Sequence, residues 1–86
     1  MSKKKQDVSY KDICAFILQA IVTKPEDVNV SEEQDESETY TINIKVAKED
    51  IGRVIGKEGK IIKAIRNVLR MRAIKEGKRI HLTLVE

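Results

Sequence analysis

Ile51-Gly52-Arg53-Val54-Ile55-Gly56-Lys57-Glu58-Gly59-Lys60-Ile61-Ile62 is the stretch on which the fold turns. Ile51, Val54 and Ile55 make a short helical stripe that stops at Gly56, and Ile61, Ile62, Ile65, Val68 and Leu69 make a second that starts after Gly59. Two glycines around two polar residues must therefore join two helices by a sharp turn. Glycine tolerates the positive φ that such turns demand. Without Cβ atoms, Gly56 and Gly59 also let another backbone come close, and a sugar-phosphate strand is one such backbone. The amides opening the helix after Gly59 point at the loop, where their dipole favours an anion, and Lys57 and Lys60 add mobile positive charge.

Other glycine motifs do not fit this spacing. A Walker loop needs Gly-x4-Gly-Lys-Ser/Thr, but Gly52 precedes Gly56 by only four positions and Lys57 is followed by Glu58, which offers no hydroxyl to magnesium. A dinucleotide fingerprint opens one continuous helix from a strand with Gly-x-Gly-x-x-Gly. Here helical residues precede the glycine pair, so that reading fails as well.

Outward from the turn, periodicity assigns the other elements. Apolar residues at 10, 13, 14, 17, 18 and 21 predict a helix from Tyr10 to Val22, ended at Thr23-Lys24-Pro25 because the residue before proline avoids helical angles. Val28 and Val30, then Tyr40, Ile42, Ile44 and Val46, alternate with polar residues as half-buried strands. Glu32, Glu33, Asp35, Glu36 and Glu38 between them read as a solvated hairpin loop; a calcium loop would need fixed ligand spacing and a glycine at its bend. Glu49-Asp50 supplies acids suited to a helix start, Gly77 closes the long helix, and Ile80, Leu82 and Leu84 alternate as a last strand. The order helix, strand, strand, helix, helix, strand predicts an α+β layer with helices on one sheet face.

Composition narrows the function. Eighty-six residues make one small domain, with residues 1–7 expected as a disordered basic tail and 8–86 as the domain. One cysteine, Cys14, forms no internal disulfide, and no apolar run is long enough to cross a bilayer. Acidic Asp7 and Asp12 among the basic residues argue against a signal peptide, so a cytoplasmic location is expected. Residues 1–50 carry seven Lys/Arg against eleven Asp/Glu, whereas residues 51–86 carry ten against three. A polyanion would meet the second part. Tyr10, Phe16 and Tyr40 are the only aromatic residues, too few for a base-stacking platform. His81 lacks an orienting partner and a second histidine, Cys14 lies on the apolar stripe of the first helix, and no catalytic, metal-binding or cofactor constellation is expected. Arg66 and Arg70 read as a solvated helix flank.

Val54-Ile55-Gly56-Lys57-Glu58-Gly59-Lys60-Ile61-Ile62-Lys63-Ala64-Ile65-Arg66 resembles the core of a KH domain, whose Gly-x-x-Gly loop clamps the backbone of about four nucleotides. With a helix and hairpin placed before that core, the arrangement is similar to the bacterial, type II KH fold, in αββααβ order with a three-stranded mixed sheet. Lys24-Pro25-Glu26-Asp27-Val28, Val46-Ala47-Lys48-Glu49-Asp50 and Lys75-Glu76-Gly77-Lys78-Arg79 extend the likeness, over nearly the whole chain, to the KhpA family of small single-KH proteins. That resemblance implies a cytoplasmic single-stranded RNA-binding protein, an RNA chaperone or post-transcriptional regulator that forms homodimers and pairs with KhpB, also called Jag or EloR. It also implies a link to cell elongation and peptidoglycan homeostasis. Carried over by position, Gly56, Lys57, Glu58 and Gly59 are the clamp; Arg53, Lys60 and Lys63 are phosphate contacts; Val54, Ile55 and Ile62 are an apolar floor for bases. Glu58 departs from the ideal by placing an acid where phosphate passes, and a protein-interaction adapter is the competing reading.

Overall fold

Ser9 starts the first helix in a computed structural model that describes residues 9–85: its side-chain oxygen accepts the Asp12 N–H at 3.2 Å. The tail expected over residues 1–7 lies outside the described residues. Helix α1 (Tyr10–Ile21) stops where predicted, with Lys24 at non-helical angles (φ −123°, ψ 77°) before Pro25. Strands β1 (Asn29–Gln34) and β2 (Thr39–Lys45) form an antiparallel hairpin. A short 3-10 turn, Lys48–Asp50, leads into α2 (Ile51–Ile55), and a second, Lys57–Gly59, joins it to α3 (Lys60–Lys75). Strand β3 (Arg79–Leu84) returns parallel to β2, so the sheet is mixed and ordered β1-β2-β3. The α+β architecture and its element order are those expected.

The hairpin corrects one expectation. Glu32 and Glu33 belong to β1, opposite Ile42 and Thr41, and only 35–38 form the turn. Asp35 makes that turn: its carboxylate accepts the Ser37 N–H at 2.8 Å, the Ser37 hydroxyl at 2.7 Å and the Thr39 N–H at 3.1 Å. Two acids of the cluster thus extend the ladder: Glu33 is on the open sheet face, and Glu32, on the helix-facing side with Val30, accepts the Lys11 N–H of α1 at 3.1 Å.

Alternation then decides the layers. Ile42 and Ile44 on β2 and Leu82 on β3 are buried, as are Cys14 and Leu18 on α1, Val54 on α2 and Ile65, Leu69 and Ala73 on α3. Full burial of a side chain such as Leu18 or Leu69 contributes about 1.5–3 kcal/mol, so this single core carries the fold. Tyr10 and Tyr40 meet edge to face at its rim, ring centroids 5.1 Å apart. Residues of opposite parity, including Thr41, Asn43, His81 and Thr83, line the other sheet face.

The long helix ends as its sequence requires. Gly77 takes φ +72°, its N–H donates to Ile74, and the Lys78 N–H reaches back to the Ala73 carbonyl at 2.8 Å. This turn delivers the chain directly into β3. Of the apolar stripe predicted for α3, Ile65 and Leu69 enter the core while Ile61 and Val68 stay exposed, and Ala73 takes the remaining core position.

Candidate nucleic-acid interface

Three backbone settings build the turn between α2 and α3. Gly56 (φ 76°, ψ 176°) leaves helix α2, after its N–H has closed the last bond to the Gly52 carbonyl at 2.9 Å. Glu58 (φ 58°, ψ 25°) and Gly59 (φ 74°, ψ 16°) are both left-handed, and the Gly59 N–H donates to the Gly56 carbonyl at 3.1 Å. Glycine relieves the strain at two of these positions; Glu58 bears it.

The two glycines differ in what surrounds them. A Cβ on Gly56 would lie 2.6 Å from Ile61 Cγ1, so the space left by the missing side chain is filled by the chain's own isoleucine. At Gly59 the nearest atom to such a Cβ is Lys63 Cε at 3.8 Å, which leaves that side open to an incoming backbone. Room for the expected close approach is therefore left at Gly59, whereas Gly56 serves internal packing.

Around the turn, Arg53, Lys57, Glu58, Lys60 and Lys63 are exposed. Ile55 and Ile62 are half-buried, each keeping an accessible surface. Val54 is fully buried in the core. Of the three residues expected as an apolar floor, Val54 is thus closed to any ligand, while Ile55 and Ile62 keep accessible surface. Helix α3 has no side-chain cap at its amino end, where the helix dipole is positive.

Charge pairing divides the basic residues into two groups. Lys24 pairs with Glu49 at 2.7 Å, Arg72 with Glu76 at 2.9 Å and Lys78 with Glu38 at 3.2 Å, all away from the turn. Among the described residues, no carboxylate makes an ion pair with Lys57, Lys60, Lys63, Arg66 or Arg70. Their charge is available to solvent anions. The Arg53 charge adds the smallest of the effects that hold the Asp50 carboxyl below the usual carboxylate range, the Thr23 N–H giving the largest.

Arg66 and Arg70 were readable as ordinary solvated flank. In the fold they continue the line of Lys63 along α3 at steps of three and four residues, about 10 Å from Lys63 to Arg70 at 1.5 Å per residue. The three-four spacing was the available signal. Nothing at the site supports covalent chemistry: burial pushes the Cys14 thiol up to about 12, and His81 stands exposed on the far sheet face. Among the described residues no group of three or more His, Cys, Asp or Glu is placed to hold a metal.

Residues 11–84 match the family model described as KhpA/KhpB, KH domain. The chain belongs to this family. Its similarity to individual KhpA proteins runs almost end to end. It is 44% identical over 75 residues to the RNA-binding protein KhpA of Clostridium perfringens, covering 87% of this chain and 99% of that one. Against the RNA-binding protein KhpA of Listeria monocytogenes it is 43% identical over 77 residues, covering 88% and 99%. Against that of Chlamydia trachomatis it is 41% identical over 76 residues, covering 88% and 96%.

Solved structures extend the likeness in fold. Aquifex aeolicus Era bound to GDP·AlF4− superposes with a TM-score of 0.59 at 18% identity, over 92% of this chain and 31% of that one. Era in complex with MgGDPNP and nucleotides 1506–1542 of 16S ribosomal RNA gives 0.59 at 16%, over 98% and 35%. At that identity the match concerns the KH fold alone. Among the described residues, no helix is long and apolar enough to cross a membrane.

Proposed function

We propose that this KhpA-family chain binds single-stranded RNA through the Gly56–Gly59 turn, gripping the sugar-phosphate backbone and leaving base identity largely unread. The observation that carries this reading is the coincidence, at one place, of an open glycine at Gly59, an uncapped amino end of α3 and the cations Lys57, Lys60 and Lys63 without carboxylate partners. Gly56, Lys57, Glu58 and Gly59 form the clamp; Arg53, Lys60 and Lys63 contact the phosphates of the gripped nucleotides, with Arg66 and Arg70 farther along α3 outside that grip; Ile55 and Ile62 receive bases by aliphatic contact. The RNA-binding names of the KhpA relatives support it.

So small a clamp holds few nucleotides, and affinity is gained by joining two such units. The protein acts in the cytoplasm, without enzymatic activity, as a homodimer or with a KhpB (Jag/EloR)-type partner. In that setting it serves as an RNA chaperone or post-transcriptional regulator, with cell elongation and peptidoglycan homeostasis as the processes it reaches.

Salt-dependent anisotropy with a labelled oligouridylate tests the proposal. Neutralising three or four phosphates gives a log-log slope of roughly −2 to −3, at about −0.7 per contact on a single strand. Changing Lys57 and Glu58 together to Asp abolishes binding while leaving circular dichroism intact. Retained binding places the site elsewhere.

One observation favours the adapter reading as a second: Phe16 and Met71 are 76% and 70% exposed, large apolar side chains left in solvent on α1 and α3. If docking is the main role, light scattering after size exclusion finds a complex that forms without RNA, and RNA binds only to that complex.

A further inference from the structure

Glu58 is the one acid in the turn, and it runs against its surroundings. It lies exposed between Lys57 and Gly59, two residues before Lys60. Its backbone holds the left-handed angles φ 58° and ψ 25°, which glycine adopts freely and glutamate does not. Among the described residues no hydrogen bond or ion pair repays that strain: the carboxylate makes no cap bond to α3, and the ion pairs lie elsewhere. No such contact within the fold uses this carboxylate.

Its place decides what the carboxylate would meet. Gly59, the glycine with room on its open side, is the next residue, its Cα about 3.8 Å from that of Glu58. A sugar-phosphate strand that comes close to Gly59 therefore passes Glu58 as well. Lys57 and Lys60 attract its phosphates, and Glu58 repels them. An ionised carboxylate only accepts hydrogen bonds, as phosphate oxygens do. The ribose 2′-hydroxyl can donate one; every nucleotide of RNA carries it whatever its base, and DNA lacks it. The order cation, anion, cation along Lys57, Glu58 and Lys60 thus matches the order phosphate, hydroxyl-bearing ribose, phosphate along an RNA strand.

We infer that Glu58 is a specificity-determining residue that selects ribose over deoxyribose, its carboxylate accepting the 2′-hydroxyl of the nucleotide that lies across Gly59. With RNA, that bond offsets the repulsion between carboxylate and phosphate. A DNA strand meets the repulsion alone. Discrimination therefore comes as much from what Glu58 rejects as from what it accepts. The inference rests on the RNA-binding reading given above and adds to it the sugar that the turn reads.

Fluorescence anisotropy tests it with labelled oligouridylates of one length that carry ribose, deoxyribose or 2′-fluororibose. The fluoro sugar keeps a ribose-like pucker but has no hydroxyl to donate. Wild-type protein is expected to bind the ribose strand roughly 5- to 20-fold more tightly than either of the others, the lower range for a hydrogen bond to a charged acceptor. Glu58→Gly, which also relieves the left-handed strain, is expected to strengthen deoxyribose binding until the three strands bind alike. Glu58→Gln keeps the strain and an acceptor but loses the charge, and narrows the preference to roughly 2-fold. A residue that only shaped the turn would change all three affinities together. Equal binding of ribose and deoxyribose strands by wild type, binding of the fluoro strand as tight as that of the ribose strand, or an undiminished ribose preference in both variants overturns the inference and leaves the RNA-binding reading standing. Failure of every strand to bind overturns both.

Discussion

Asp50 receives two hydrogen bonds from Thr23, 27 positions earlier in the sequence, one from its N–H at 3.0 Å and one from its hydroxyl at 2.8 Å. A third comes from the Lys24 N–H at 3.1 Å. Asp50 is fully buried and immediately precedes α2, so these bonds fix the end of α1 against the start of the helix that carries Arg53 and leads to Gly56. A buried carboxylate is tolerated because its acceptor sites are filled.

Removing that carboxylate exposes the arrangement. Asp50→Ala leaves two backbone donors without their acceptor and is expected to lower the melting temperature by several degrees and to weaken RNA binding through displacement of α2. Thr23→Val removes only the hydroxyl bond and has a smaller effect on both. Thermal denaturation by circular dichroism ranks them, and the reverse order contradicts the assignment.

Stability depends on pH with a definite sign. The Thr23 N–H, ahead of its hydroxyl and the Lys24 N–H, holds the Asp50 carboxyl below its ordinary value of 3.8. Hydrogen bonds from the Tyr10 hydroxyl and from Arg72 likewise hold Glu76 below 4.5. A depressed native pKa means that the unfolded chain binds more protons, so this stability is present above the ordinary carboxylate values and is lost as pH falls below them. At the alkaline end burial raises the Cys14 thiol from 9.0 to about 12 and the Tyr10 phenol above 10.0, and their contribution is lost as pH rises past those ordinary values. Urea melts across pH 2–11 are expected to give a plateau with both limbs descending, and Asp50→Asn to flatten the acid limb.

The glycines are expected to respond to alanine in three different ways. Gly52 lies within α2 with nothing inside 4 Å of a new Cβ, so Gly52→Ala stabilises by about 0.5–1 kcal/mol. Gly59→Ala has room but keeps φ at +74°, and costs about 1–2 kcal/mol. Gly56→Ala meets Ile61 at 2.6 Å and a backbone region that only glycine enters freely, and costs about 1–3 kcal/mol before the clash is added. Chemical denaturation of the three variants checks the order.

Much of the fold was legible because local chemistry and periodicity agreed. The helix stop before Pro25, the glycine closure at Gly77 and the alternation of Ile42 with Ile44 all have causes within a few residues. The position of the turn was readable for the same reason. Long-range pairing was not. Asp50 was expected to serve α2 as an amino-terminal acid, yet its side chain makes no cap bond and turns to Thr23 and Lys24 instead. Glu32 and Glu33 were hidden in a run of acids whose turn is set by Asp35 alone. The α3 stripe contained two surfaces that hydrophobicity cannot separate, and only the packing of α1 shows that Ile65 faces inwards and Val68 outwards. At the site, the burial of Val54 and the filling of Gly56 by Ile61 arise from how α2 leans on α3, which no spacing encodes.

The most direct test of the central claim is a ¹⁵N heteronuclear titration of the protein with a short oligouridylate. The account predicts that amide resonances from Gly56 to Lys63 shift progressively and saturate, with the outer sheet face around Thr41 and His81 unmoved. Resonances of the turn that stay fixed while others shift, or a spectrum unchanged at millimolar RNA, would contradict it.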